Sequence, residues 1–272
     1  MTSTPEASEI HASGIHAQPE RQRFAAMNDP TESIHLTGMQ DQGSRDATIR
    51  IGISACLLGE EVRYDGGHKR DRYLTDVLGA HVEWVPVCPE VEFGLGTPRE
   101  TIELVQMKDG IALRTTETRV DLPKRMRAFA KSRAAALAQE NISGHVLKRG
   151  SPSCGMTRVK IQQSKGPPRR SGVGLFAEAL LERFPNLPVE EEGRLGDGVL
   201  RENWIERVFA YHALQGLWST RWKLSDLAEF HALRKLQLLA HSDREHRELS
   251  RLITDGRTVP RAELRRRYEA GF

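Results

Sequence analysis

Cysteine is scarce in this chain: its 272 residues include three. An odd number of widely spaced cysteines, at positions 56, 88 and 154, argues against a disulfide framework and for a reducing cytoplasm. Long apolar runs are missing. No stretch of about 18 apolar residues occurs, so nothing reads as a membrane span. Aromatic residues make up 6% and the whole hydrophobic set 38%, which is low for a compact globule. The dilution traces to residues 1–48, rich in Ser, Thr, Gln, His, Pro and Asp and poor in Leu, Ile, Val and Phe. They read as a disordered tail. This tail has no apolar core and no basic start, so it does not read as a secretory signal. An excess of one charge is missing too: 40 Lys and Arg against 37 Asp and Glu leave +3. The arginines are dispersed, with the densest cluster at Arg265-Arg266-Arg267. A nucleic-acid enzyme would be expected to concentrate its basic residues in a groove with interleaved aromatics, so the dispersion counts against that partner.

What is present from about Thr48 onward is an alternation of strand and helix patterns. Ile49–Ser54, His81–Val87 and Ile142–Leu147 read as buried strands, and Leu187–Glu190 as a short final one. Residues 69–79 read as a short helix, 102–116 as a hairpin turning at Lys108-Asp109-Gly110, and Leu122–Glu140 as a helix. Ser164–Gly172 reads as a flexible loop. A helix follows in which Val173, Phe176, Ala177, Leu180, Leu181 and Phe184 share one face. The fold class expected is α/β, a mainly parallel sheet with flanking helices, followed by an all-helical C-terminal segment. The expected division is a tail (1–48), a cluster-binding domain (49–197) and a helical region (198–272). In the last of these, Leu224, Leu227, Phe230, Leu233, Leu236 and Leu239 step by three. Such steps spread apolar surface around a helix, so this one needs a protein partner or a second copy on more than one side.

Each cysteine lies just past a strand end, or a few residues on, inside a loop rich in Gly, Pro or Ser: Ser54-Ala55-Cys56-Leu57-Leu58-Gly59, Val87-Cys88-Pro89-Glu90 and Ser151-Pro152-Ser153-Cys154-Gly155. Ligands of open parallel sheets bind beyond the carboxyl ends of the strands, so the three thiols could converge there. Three thiolates can hold a metal cluster and leave one metal position open for substrate. The competing reading is three unrelated buried cysteines, which spacing alone does not beat. Gly172-Val173-Gly174 opens a helix, a weak sign of a phosphate site.

These loops, with Arg63-Tyr64-Asp65-Gly66-Gly67 and Gly94-Leu95-Gly96-Thr97-Pro98-Arg99 between them, resemble the thiouracil desulfidase (TudS) family over roughly residues 49–190. Phe230–Ser242 looks like the start of a YbgA-type helical domain, and the resemblance implies that the domain's second half is absent. The resemblance implies a 4Fe–4S cluster on Cys56, Cys88 and Cys154, a catalytic carboxylate at Glu90 and a catalytic serine at Ser151. Some relatives carry a further cysteine where this chain has Val62.

Glu90 would act as general acid/base, with Glu92 its nearby decoy and a surface carboxylate the bland alternative. Ser153 competes with Ser151, and either suits an ordinary Ser-Pro turn. Arg63, Tyr64, Asp65 and Arg99 are candidate contacts to a planar heterocycle. For the first three the bland reading is an Asp-Gly turn with an Arg–Asp pair. The expected function is non-redox desulfuration of a thiouracil-like nucleobase in the cytoplasm: water attacks the thiocarbonyl carbon while sulfur binds the open iron. A cluster-dependent sulfur transfer or tRNA thiolation enzyme, or a metal-stabilised interaction module, stays open beside it.

Overall fold

The computed structural model describes residues 48–272. The segment read as a disordered tail lies almost wholly outside the described residues. β1 (Arg50–Ser54), β2 (Glu83–Val87), β5 (Gly144–Leu147) and β8 (Val189–Glu191) form one sheet in the order β2-β1-β5-β8, every pair parallel. The apolar runs of the two central strands, β1 and β5, are buried on both faces, whereas the edge strand β2 buries Val85 and Val87 and exposes Glu83 and Pro86. β3 (Ile102–Met107), β4 (Gly110–Thr115), β6 (Val159–Gln162) and β7 (Arg169–Gly172) form a second sheet in the order β4-β3-β6-β7. It is mixed: β3 and β6 run parallel, while β3–β4 and β6–β7 are antiparallel. The hairpin turning at Lys108-Asp109-Gly110 is therefore present, but the stretch read as a loop over 164–172 ends in a strand. β7 is an edge strand with three of its four residues exposed, so it carries no apolar alternation to betray it.

Helices α2 (Pro123–Leu137) and α3 (Leu175–Arg183) cover one face of the parallel sheet, where Ala130, Ala134 and Leu137 meet Val85, Val87, Phe176 and Leu180. The other face packs on α4 (Gly198–Trp218) through Trp204 and Val208 against Ile51, Ile53 and Val146. Asp197 caps α4, its carboxylate accepting from Val199 N (2.9 Å) and Leu200 N (3.2 Å). The far end of α4 enters a separate core, in which Leu214 and Trp218 join residues of α5 (Leu224–Leu233), α6 (Lys235–His241), α7 (Asp243–Thr254) and α8 (Arg261–Gly271). The apolar stripe read as one continuous helix is broken between α5 and α6 at Arg234, whose N–H is shared by the Phe230 and His231 carbonyls. The break turns Leu227 and Leu238 into the helical core and leaves Leu233 and Leu236 exposed. His231 faces that core, between Tyr268 Oη (3.2 Å) and Ser250 Oγ (2.9 Å), and stacks on His246.

Candidate active site

β2, β1 and β5 are neighbours, and the three cysteines leave their carboxyl ends. Cys56 sits in the 3₁₀ turn after β1, Cys88 caps the four-residue helix α1 (Pro89–Glu92) after β2, and Cys154 lies in the loop after β5. All three line one cavity of about 330 Å³, together with Arg63, Tyr64, Glu90, Arg99, Lys148, Arg149 and Ser151. Asp65 is outside it: its carboxylate turns back to Gly67 N (3.1 Å) and faces Arg63 Nε at 3.5 Å, an ordinary Asp-Gly turn.

The Cys154 loop is held from three sides. Ser151 Oγ accepts from Ser153 N and Cys154 N, both at 3.1 Å. The carbonyls of Pro152 and Ser153 accept the first N–H groups of α3, from Leu175 (3.2 Å), Phe176 (2.9 Å) and Ala177 (3.2 Å). Those donors are thus taken, which removes the phosphate reading of Gly172-Val173-Gly174. Gly174 is needed for close approach instead, because a Cβ there would lie 2.5 Å from Ser153 C. From the third side, the buried Glu191 carboxylate accepts from Met156 N (2.8 Å) and Thr157 N (3.3 Å). Glu192 next to it pairs with Lys148 Nζ and accepts from Arg149 N.

Glu90 and Ser151, adjacent only in space, meet across the cavity: Ser151 Oγ donates to Glu90 Oε1 at 3.4 Å, longer than an ordinary O–H···O bond. Glu90 Oε2 takes both Arg99 Nε (3.0 Å) and Arg99 Nη2 (2.5 Å). Glu92 has a different task. It accepts from Cys88 N (2.9 Å) and pairs with Arg133 (2.7 Å), so it fixes the start of α1. Ser153 is buried outside the cavity. Arg63 stacks over the Tyr64 ring at the mouth, 5.2 Å from its centroid. Lys148 and Arg149, which on sequence alone suit a surface role better than attraction of an anionic substrate, stand in this wall. Ser54 was missed in the sequence as part of it; its one sequence mark is position, at a strand end beside a cysteine loop.

Burial pushes the Cys56 thiol up to about 11, opposed by Lys148 and Arg63 and reinforced by Cys88. Burial also raises Cys88, with Glu90 adding to it, and lifts Cys154 well above the usual thiol range, with Glu90 and both other thiols adding. Thiols whose ionisation is opposed first by burial, and at Cys56 and Cys154 also by neighbouring thiols, become thiolates readily only against a strong positive centre. Among the described residues no three His, Cys, Asp or Glu side chains close on one point as a single ion requires. An all-sulfur set spread round a cavity suits a cluster of several irons. The residues present therefore fit a three-cysteine iron–sulfur group.

An α/β domain with a thiol-lined cavity at the carboxyl edge of its parallel sheet is the class that fold and site define. The chain belongs to the 2-thiouracil desulfurase family, whose model matches residues 51–192. It is 34% identical over 113 residues to the uncharacterized protein YbbK of Bacillus subtilis (strain 168), covering 39% of this chain and 72% of that one. It is also 33% identical to the [4Fe-4S]-dependent thiouracil desulfidase TudS, whose structure aligns with a TM-score of 0.46 over 57% of this chain and 98% of that one. The family match ends before α4, and the YbgA-type likeness of the helical segment rests on the Phe230–Ser242 sequence alone. Among the described residues no helix is long and apolar enough to cross a membrane.

Proposed function

We propose that this chain is a desulfidase that hydrolyses the C–S bond of a thiouracil-like nucleobase. One observation carries the reading: Glu90 and Ser151 meet in a cavity whose wall holds all three cysteines. Membership of the 2-thiouracil desulfurase family supports it. Cys56, Cys88 and Cys154 would hold a 4Fe–4S cluster. When bound, the cluster supplies a Lewis-acidic iron without a protein ligand, to which the thiocarbonyl sulfur can bind.

The chain's own residues supply the water chemistry. Ser151 Oγ already accepts two N–H groups, so its hydroxyl proton is what it has left to offer. A water beside the Ser151–Glu90 pair, within reach of both oxygens, would take over that proton in a hydrogen bond and donate to Glu90 Oε1. Glu90 then takes a proton as the water oxygen attacks the thiocarbonyl carbon. Water and thiocarbonyl become carbonyl and hydrogen sulfide, with no net electron transfer. At 3.4 Å the direct Ser151–Glu90 contact is long and weak, so exchanging it for bonds to the water costs little. Arg63 and Tyr64 present a flat, cationic surface at the mouth for a planar heterocycle. The partner proposed is that small molecule.

Anaerobic purification with iron, acid-labile sulfide and zinc counted per chain, then 4-thiouracil with released sulfide assayed, tests the reading. About four irons and four sulfides are expected per chain, with sulfide release lost in Cys56→Ala. A cluster without sulfide release would move the substrate to another thiolated molecule or to tRNA. Zinc, or no metal, would sink the enzyme assignment.

A further inference from the structure

We infer that Arg99 is a positioning residue that acts through Glu90 rather than on the substrate. The inference rests on the desulfidase reading above. Arg99 has five N–H donors. Nε and one of Nη2 go to Glu90 Oε2, and Nη1 reaches the Val62 and Gly96 carbonyls, both at 2.9 Å. The side chain is only 6% exposed. A guanidinium so committed and so covered has little left to offer a substrate, although it stands in the cavity wall.

The placement of the bonds matters more than their number. Both contacts to Glu90 fall on the same oxygen, Oε2, and leave Oε1 to Ser151. The terminal torsion of a glutamate is broad and roughly two-fold, so an untethered carboxylate would present either oxygen at a range of angles. Apart from Arg99 and Ser151, no side chain or backbone group bonds the Glu90 carboxylate among the described residues. The anchor is itself fixed. Arg99 N donates to Tyr64 O at 2.9 Å, and Val62 O, which takes Arg99 Nη1, also faces Cys88 Sγ at 3.7 Å. Arg99 thus ties the Val62–Tyr64 loop, the Cys88 loop and the base into one frame. A lysine could reach Glu90 or the Val62 carbonyl but could not span both as the planar fork does.

The test uses the full chain, purified anaerobically, as wild type, Arg99→Gln, Arg99→Lys, Glu90→Gln and the Arg99→Gln/Glu90→Gln double variant. Iron is counted in each, sulfide release from 4-thiouracil is followed at steady state, and uracil binding is measured by calorimetry. Arg99→Gln is expected to keep its iron, to hold KM and uracil affinity within about twofold of wild type, and to lose about 100-fold in kcat. Arg99→Lys should fall between. In the Glu90→Gln background, Arg99→Gln should cost nothing further, because its effect passes through the carboxylate. If Arg99→Gln fails to load iron because it strands a buried carboxylate, the double variant, which strands none, must still load and match Glu90→Gln. A raised KM and weakened uracil binding with kcat intact would make Arg99 a substrate contact and overturn the inference. So would a loss that adds to that of Glu90→Gln, or unchanged turnover in Arg99→Gln. A wild type that releases no sulfide overturns the desulfidase reading itself, an outcome separate from any ranking of the variants.

Discussion

Replacing Gly174 by alanine isolates how much the Cys154 loop depends on α3. Gly174 has φ −67° and ψ 146°, angles open to any L-residue, so alanine costs nothing in backbone conformation. The cost is contact. A Cβ at 174 would collide with the Ser153 carbonyl oxygen and lie 2.5 Å from Ser153 C and 2.9 Å from Cys154 N. These are backbone atoms of a turn that already accepts three N–H groups of α3, while Gly174 N donates to Gly155 O at 2.8 Å. None can swing aside as a side chain would, so helix and turn must part. Overpacking of this kind costs about 1–3 kcal/mol. Losing two of the four hydrogen bonds adds about 1 kcal/mol each. The sum, about 3–5 kcal/mol, corresponds to a fall in Tm on the order of 10 °C for a chain of this size.

Gly216 provides the control. It lies inside α4, an added Cβ there meets nothing within 4 Å, and alanine should stabilise by about 0.5–1 kcal/mol. Thermal unfolding of both variants beside wild type reads the contrast. Because Cys154 N is among the displaced atoms, Gly174→Ala should also bind less iron at temperatures where it remains folded. A Gly174→Ala protein with the Tm and the iron content of wild type would refute the claim that the turn is pinned to the helix.

Glu90→Gln should cut sulfide release by about 100- to 10,000-fold, to a small but measurable residual rate, while leaving iron content and cluster absorbance as in wild type; full activity in that variant would end the assigned role. Glu191→Ala removes the buried carboxylate that accepts from Met156 N and Thr157 N and should cost about 1–3 kcal/mol by urea unfolding, whereas Glu191→Gln, which keeps an oxygen, should recover most of it. His145 is wholly buried, and among the described residues neither ring nitrogen has a well-formed hydrogen bond; burial pushes it down to about 3. Its unfolded form takes up a proton near pH 6.5 while the folded form does not. Stability should therefore fall as pH drops from 6.5 toward 3, by up to about 1.4 kcal/mol per pH unit from this residue. His231, lowered by burial and by His246, works in the same direction. Urea unfolding of wild type and His145→Met at pH 7, 6 and 5 checks the slope, which should be shallower in the variant.

The parts of the fold that could be read from the sequence are those whose stability is local or one-sided. β1 and β5 are short apolar runs because both their faces are covered, β2 shows its buried face in Val85 and Val87, and α3 keeps its apolar face in register. Even the convergence of the cysteine loops could be anticipated, since neighbouring parallel strands end on the same edge. The second sheet was less legible. Its hairpin carries a turn signal, but Arg169-Arg170-Ser171 in β7 makes its ladder with backbone alone and exposes its side chains. The break at Arg234 was hidden for the opposite reason: steps of three suit one helix as well as two, and only the position of the α7–α8 core decides which. At the site, sequence order could not choose between Ser151 and Ser153, nor separate Arg99 from the substrate contacts. What the structure adds is what stands opposite in space: the Glu90 carboxylate bonds Ser151 and Arg99, and Ser153 lies outside the cavity.

The charged groups around the cavity are mostly already paired. Arg99 is used by Glu90, Lys148 by Glu192, and Arg133 by Glu92. Each pair braces a cysteine loop: Arg133–Glu92 the start of α1, Lys148–Glu192 and Glu191 the Cys154 loop, Arg99 the segment facing Cys88. What the pairing leaves hardest to ionise is the set of three thiols, raised above all by burial and only partly offset, at Cys56 by Lys148 and Arg63 and at Cys88 by Arg99. A site built this way holds its geometry before any ligand arrives, so little reorganisation is needed when charge develops at the reacting carbon. It also directs positive charge to one place. A cationic cluster inside the ring of thiols is favoured by all three at once, whereas a cation at the rim finds its carboxylates already occupied.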